Sequence, residues 1–183
     1  MSYRSRALVT GATGAIGEAI ARGLASDIER EVVLVARNRE KAERTVQRIR
    51  HETGNHHVRF ELADLSRGGA IRDLAARWDG PLHILINNAA VTPVQREESA
   101  EEVELQFATN VLAYHRMIRA FNPYLLAAEG SQVVNVASYW AGGLDLDDLE
   151  FRRRRYDNDA AYRQSKQADR MLSAAFAERL LDQ

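Results

Sequence analysis

Five short apolar runs, each followed by a longer amphipathic stretch, recur along the chain, and this alternation constrains the fold more than any other feature. Residues 7–9, 32–36, 58–62, 82–86 and 133–136 read as strands. The second run, Val32-Val33-Leu34-Val35-Ala36, carries no polar residue, the pattern of a strand covered on both faces. The first helix has Ile16, Ile20 and Leu24 as its expected inner face, and a charged helix over residues 39–51 has Ala42, Thr45, Val46 and Ile49. Ile71, Leu74, Ala75 and Trp78 mark a third helix. A long one is expected over residues 101–128, carrying Val103, Phe107, Val111, Tyr114 and Ile118 inward and bent or broken by Pro123. A final helix covers residues 160–181. Strand–helix units in series require parallel pairing through right-handed crossovers. The expected fold is therefore α/β, a doubly wound parallel sheet in three α/β/α layers, forming one domain over residues 1–183.

Between the first strand and first helix lies Thr10-Gly11-Ala12-Thr13-Gly14-Ala15-Ile16-Gly17. In that place glycines let backbone approach a pyrophosphate, and the N–H groups of a helix start can hold it. Placement inside a βαβ unit gives an otherwise common pattern its weight, and the domain reads as dinucleotide-binding (Rossmann). Gly11, Thr13, Gly14, Ala15, Ile16 and Gly17 are the candidate contacts. About 20 residues beyond the last glycine an acid suits a ribose 2′-OH, whereas an arginine suits a 2′-phosphate. That position is Arg37 (37 − 17 = 20), and no acid occupies residues 32–39. NADP(H) is the preferred cofactor, with NAD(H) as the alternative and Arg39 as a second cation; the competing reading leaves Arg37 solvated at a strand end. Asp64, after the third strand, suits either the adenine amino group or a helix N-cap, for which Ser66 competes.

Composition removes other classes. Charged residues make up 28%, and 25 Lys+Arg against 26 Asp+Glu leave a net charge of −1, with no basic field for nucleic acid or an anionic membrane. Cysteine is absent, which excludes disulfides and thiolate chemistry. No apolar run approaches a membrane span, and a strand starting at Ala7 leaves no room for a signal peptide, so a cytoplasmic location is expected.

The final helix brings Tyr162-Arg163-Gln164-Ser165-Lys166. Positions i and i+4 share a helix face, so a phenol and an ammonium stand one turn apart. A free phenol, with a pKa of about 10, is a poor acid–base group near neutrality, and a nearby ammonium stabilises its phenolate. That pairing suits proton transfer at an alcohol or carbonyl, although Tyr-x-x-x-Lys alone is more often a surface pair.

Taken in order, the glycine turn, Asp64, Asn87-Asn88-Ala89-Ala90, Asn110, Ser138 and the Tyr162/Lys166 pair resemble the short-chain dehydrogenase/reductase family. Residues 138 and 162 are 24 apart (162 − 138), and the Leu144-Asp145-Leu146-Asp147-Asp148-Leu149 segment between them resembles the retinol dehydrogenase and WW-domain oxidoreductase branch. The resemblance implies an oxidoreductase acting on CH–OH that moves hydride between NADP(H) and a small-molecule carbonyl or alcohol. Tyr162 would be the acid–base group and Lys166 would bind the nicotinamide ribose and tune it. Ser138 would hold the substrate oxygen, and Asn110 would anchor a water in a proton relay. Leu65, Asn87, Asn88 and Ala89 would lie along the cofactor. A homodimer or homotetramer is implied as well.

Departures from the family pattern are Ala15 in place of a glycine, Ala90 in place of another, and the end of the sequence at Gln183. Family members continue into further strands and a lid, so the expectation is a truncated form lacking C-terminal strands. Two other readings stay open: a non-catalytic nucleotide- or partner-binding protein, and a nucleotide-sugar epimerase or dehydratase. The Arg152-Arg153-Arg154-Arg155 run reads as solvated loop, with a grip on an acidic substrate as the alternative, and His56-His57 lacks the carboxylate spacing of a metal site, so none is expected. Trp140 suits packing and pocket lining equally.

Overall fold

The computed structural model describes Ser5–Leu181. Its five strands are β1 (Ser5–Thr10), β2 (Arg30–Ala36), β3 (Val58–Leu62), β4 (Ile84–Asn87) and β5 (Gln132–Asn135). They form one sheet in the order β3-β2-β1-β4-β5. Pairing of β1 with β2 and β4, and of β2 with β3, is parallel, in the register Ala7↔Val32, Ala7↔Ile84 and Val32↔Val58. The order reverses direction at β1, as in doubly wound sheets, so the expected fold class is what the chain adopts. Residues Val32 to Ala36 are all buried, in keeping with their unalternating apolar composition.

The chain divides into two compact units. The first takes residues 5–64, 69–89 and 117–134, and the second residues 65–68, 90–116 and 135–181. In the first unit, α1 (Ala15–Ala25) and α2 (Arg39–Thr53) pack on each other and on the strands they connect. The α2 stripe is the expected one, Ala42, Thr45, Val46 and Ile49. Asn38 caps its start by accepting from the Lys41 N–H at 2.9 Å, and Gly54, at φ 72°, closes its end. Beyond α3 (Gly68–Ala76), Trp78 meets Phe121 edge to face at 5.6 Å. Phe121 belongs to α4 (Ala113–Leu126).

Three expectations need correction. The buried stripe of α1 is Gly17, Ala21 and Ala25, while Ile16 is 65% exposed. Small residues win that face because the helix start lies hard against the preceding turn: a Cβ on Gly17 would sit 2.4 Å from the Gly11 carbonyl oxygen. Residues 101–104 are not helical. Glu98 and Glu104 form an isolated antiparallel bridge, Glu102 has φ 57°, and the Glu104 carboxylate accepts from the N–H groups of Gln106 and Phe107. The acid that periodicity places inside the helix thus starts it. Of the two effects expected of Pro123, a bend or a break, the break does not occur: Pro123 sits within α4, which runs on to Leu126.

In the second unit a π-helical turn, Phe107–Leu112, leads into α4, and α5 (Asn158–Leu181) packs against that turn. The 139–159 loop carries its own polar core. Asp148 accepts from the backbone N–H groups of Arg152, Arg153 and Arg154, and Arg154 lies 4.0 Å over the Phe151 ring. Among the described residues no helix is long and apolar enough to cross a membrane, and no cluster of three metal-ligating side chains occurs.

Gly17→Ala is expected to destabilise the fold by about 1–3 kcal/mol, the range for overpacking. Gly14→Ala is expected to cost no more than about 1 kcal/mol, the scale of a helix-cap change, since its added Cβ meets only the Gly11 oxygen at 3.5 Å. Thermal melts followed by circular dichroism check the contrast; equal losses would refute the packing role given to Gly17.

Candidate active site

The glycine turn is built by residues at the ends of β1 and β4. Thr10 donates its hydroxyl to the Ile86 carbonyl at 3.2 Å and accepts from the backbone N–H groups of Asn88 at 2.8 Å and Ala89 at 3.1 Å. The Asn88 amide donates to the carbonyls of Thr10 at 2.9 Å and Gly11 at 3.3 Å. Gly11 takes φ 63°, and a side chain there would strike the Ala89 backbone. Gly11 and Gly17 therefore shape the turn. Gly14, by contrast, is exposed, and as the N-cap of α1 it supplies no side-chain hydrogen bond to the first turn. That leaves backbone N–H donors at the helix start for an anion, which is the fit expected of a pyrophosphate cradle. Ala15 and Ile16 are exposed, so the extra methyl of Ala15 points out of the packed side of the turn; Thr13 is half-buried.

Arg37, directly after β2, is exposed and makes no ion pair or hydrogen bond among the described residues. Arg39 is engaged, with Glu43 at 3.7 Å and the Phe60 ring at 5.6 Å. Asp64 is half-buried after β3 and Leu65 is buried. Neither Asp64 nor Ser66 adjoins the start of α3, because the helix begins at Gly68, whose N–H donates to Glu101 at 2.7 Å. Asn87 is fully buried at the end of β4.

Asn110, Ser138, Tyr162 and Lys166 all belong to the second unit. Asn110 sits buried in the π-helical turn, a local widening that often accompanies functional positions. Its amide clasps Val91 through both backbone groups, at 2.9 and 3.2 Å, and donates to the Ser165 hydroxyl at 3.2 Å. The Ser138 hydroxyl is half-buried and accepts only the Trp140 N–H, at 3.2 Å. Tyr139 and Trp140, which follow it, are 94% and 67% exposed, so Trp140 does not pack into the core. They line a concavity with Ala141, Asp159, Arg163 and Arg170. Tyr162 is half-buried, and its hydroxyl has no hydrogen-bond partner among the described residues.

Lys166 is the most constrained of the four. It is 2% exposed, and its ammonium donates to the Val136 carbonyl at 2.8 Å, the Asp169 carboxylate at 2.9 Å and the Tyr114 hydroxyl at 3.3 Å. The Tyr114 ring lies 4.9 Å from the same nitrogen. Burial, reinforced by the charges of Asp169 and Tyr162, holds the Tyr114 phenol protonated well above its usual range. Burial pushes the Asp169 carboxyl up to about 6, and the Lys166 charge pulls against that rise.

Thr10 in the first unit, and Tyr114 and Asp169 in the second, thus engage the expected residues of their own unit without a sequence motif to announce them. Thr10 acts through a hydroxyl at a strand end, and Tyr114 reads as an ordinary core aromatic. Asp169 had one signal, an acid three residues after a lysine on a helix.

The short chain dehydrogenase family profile matches residues 5–183. Human retinol dehydrogenase 13 is 35% identical over 178 residues, which is 94% of this chain and 54% of that protein. Mouse polyprenol dehydrogenase is 35% identical over 185 residues, 96% of this chain and 54% of that protein. The chain therefore spans about half the length of these relatives. A Mycobacterium paratuberculosis protein of known structure superposes with a TM-score of 0.86 at 27% identity, covering 98% of this chain and 63% of that one. A metagenomic short-chain oxidoreductase in complex with NADP does so at 0.77 and 30% identity, covering 97% and 77%. The parallel sheet around β1, the glycine turn it delivers and the extent of these matches lead to one assignment: the chain belongs to the short-chain dehydrogenase/reductase family, near its retinol dehydrogenase branch.

Proposed function

We propose that the protein is an NADP(H)-dependent oxidoreductase interconverting a carbonyl and an alcohol, with Tyr162 as its acid–base group. The carrying observation is the buried, fully hydrogen-bonded Lys166 ammonium one helical turn from a Tyr162 hydroxyl that no protein group engages among the described residues. When bound, the nicotinamide donates or accepts hydride at its ring. Tyr162 gives a proton to the substrate oxygen in reduction and takes it back in oxidation. The Lys166 charge stabilises the phenolate left behind; its three N–H donors are already met by Tyr114, Val136 and Asp169, so it acts through charge and not through a further hydrogen bond to the nicotinamide ribose. The Ser138 hydroxyl, used only as an acceptor by Trp140, is free to donate to the substrate oxygen. Asn110 fixes Ser165 and Val91, and through them the α5 turn on which Tyr162 stands; it is also the anchor for the proton relay.

The cofactor fits the residues present. The first turn of α1, around Gly14, holds the pyrophosphate, with Thr13, Ala15, Ile16 and Gly17 supplying backbone around it. Arg37 meets the 2′-phosphate, for which it is suited by being exposed and uncommitted. Asp64 and Leu65 serve the adenine side, and Asn88 and Ala89 hold the turn from beneath. NADP and NADPH complexes among the structural neighbours support this choice. Substrates to be tried first are apolar alcohols and their aldehydes. The support is the names of the retinol and polyprenol dehydrogenases, together with the exposed aromatic pair Tyr139 and Trp140 beside Ser138. A cytoplasmic homodimer is proposed as the working form, with size-exclusion chromatography as its check.

Fluorescence titration is expected to show tighter binding of NADPH than of NADH. Arg37→Gln should weaken NADPH by about tenfold or more, the value of one or two charge-assisted hydrogen bonds, and leave NADH within about twofold. Preference for NADH in the unaltered protein would overturn the assignment. Tyr162→Phe should slow NADPH-linked reduction of an active aldehyde (octanal and all-trans-retinal are the probes) by about 10²-fold or more, the scale of general acid catalysis. Its NADPH affinity should be unchanged; retained turnover would remove Tyr162 from the chemistry.

A further inference from the structure

A lysine ammonium has three N–H donors and accepts nothing. In this protein all three meet protein acceptors: the Val136 carbonyl, the Tyr114 hydroxyl and the Asp169 carboxylate. Only one of those acceptors carries charge. A buried ammonium is costly without a paired counter-charge, and Asp169 is the group that supplies it. Asp169 is itself completely buried, and its second oxygen, Oδ1, meets no donor among the described residues. An under-bonded buried carboxylate is poor as a device for stability, since an apolar pair of similar volume often serves the fold as well or better. The arrangement is thus costly for structure and well suited to setting a charge. Composition points the same way: Lys41, which is exposed, and Lys166 are the only lysines in the 183-residue sequence, where 23 of the 25 basic residues are arginine.

We propose that Asp169 is a positioning residue of this enzyme, acting through Lys166: its carboxylate fixes the ammonium one turn from Tyr162 and keeps it charged where water is excluded. The proposal rests on the assignment of Tyr162 and Lys166 in the preceding section. Tyr162, Lys166 and Asp169 lie along one side of α5, at steps of four and three residues. The groups around the carboxylate are few. Lys166 faces it from α5 and Tyr114 from α4, Tyr114 being in turn influenced by Tyr162, while the segment after β5 contributes the uncharged Val136 carbonyl. His115 on α4 is turned to the Phe176 ring, 5.6 Å away. Tyr114 stays protonated across the working range. Lys166 is therefore the cationic partner of the carboxyl, which titrates at about 6. Above that value the carboxylate is ionised and the pair is intact. As pH falls through it the acid takes a proton, the counter-charge vanishes, and activity is lost from the acid side.

Two lysines make the test direct. In the 183-residue chain carrying ¹³Cε-lysine and no cofactor, the Lys166 signal is the one missing from Lys166→Met, with Lys41 as internal reference. It should move with a midpoint near pH 6 in the wild type, and that midpoint should be lost in Asp169→Asn. Turnover with NADPH and the more active aldehyde probe should lose its acid limb in Asp169→Asn. The rate at pH 7.5 should fall about 10- to 100-fold, the scale of misplacing a group near the chemistry. A wild-type Lys166 signal indifferent to pH between 5 and 8 would overturn the proposal even if Asp169→Asn failed to fold. So would a folded Asp169→Asn enzyme with the wild-type pH profile. Turnover surviving Tyr162→Phe, with the lysine titration intact, would instead overturn the acid–base assignment and leave the Asp169–Lys166 coupling standing.

Discussion

The end of β1 is the point on which the first unit of this protein depends. A central parallel strand must hand its chain to a crossover helix on one side while its neighbour β4 ends beside it. Thr10 joins the two strand ends through one hydroxyl, giving a hydrogen bond to Ile86 and receiving two from Asn88 and Ala89. Asn88 then holds the turn from beneath through two carbonyls. Space is so short that glycine is the only residue that fits at positions 11 and 17 without displacement. One step further on there is room again, and the first turn of α1 is uncapped because its N-cap, Gly14, has no side chain.

A different economy governs the second unit, where polar groups rather than apolar ones are driven inside. Lys166, Asp169, Asn110 and Gln106 are almost wholly buried, and each is held by hydrogen bonds to backbone or to another of the unit's polar side chains. In a low-dielectric interior such bonds are strong, and a missing partner is correspondingly expensive. Glu104 illustrates the balance: burial raises its carboxyl above the usual range, against the opposing pull of two backbone N–H groups, Tyr156 and Arg96. The long loop is ordered in the same way around Asp148, whose carboxylate gathers three successive N–H groups from the arginine run. Those arginines are thereby occupied with the loop itself: Arg152 pairs with Glu150, and Arg154 with Asp145.

Much of the architecture was legible because apolar periodicity reports burial directly. All five strands and the α2 stripe fall where hydrophobic runs put them, with ends moved by a residue or two. The misreadings share a cause. On α1 the larger side chains, Ile16 and Ile20, suggested the buried face, but contact with the glycine turn demanded small ones and turned the helix. Before α4 the pattern ran smoothly through Glu104, whose carboxylate ends a bridge and begins the helix. Neither outcome is visible in hydrophobicity, because both are settled by the atoms a residue meets in three dimensions.

The same division applies to the chemistry. Residue identity and spacing alone determined a parallel α/β sheet, a glycine turn at the first crossover, an arginine rather than an acid after β2, and a phenol and an ammonium one turn apart. These follow from local rules, the periods of strand and helix and the reach of neighbouring side chains. Tertiary structure alone decided that the ammonium is buried, that Tyr114 and the Val136 carbonyl receive two of its protons, and that Asp169 receives the third. Charge and proton affinity depend on the dielectric and the partners around a group. Those are supplied by residues up to 52 positions away along the chain, which only folding brings within hydrogen-bonding distance.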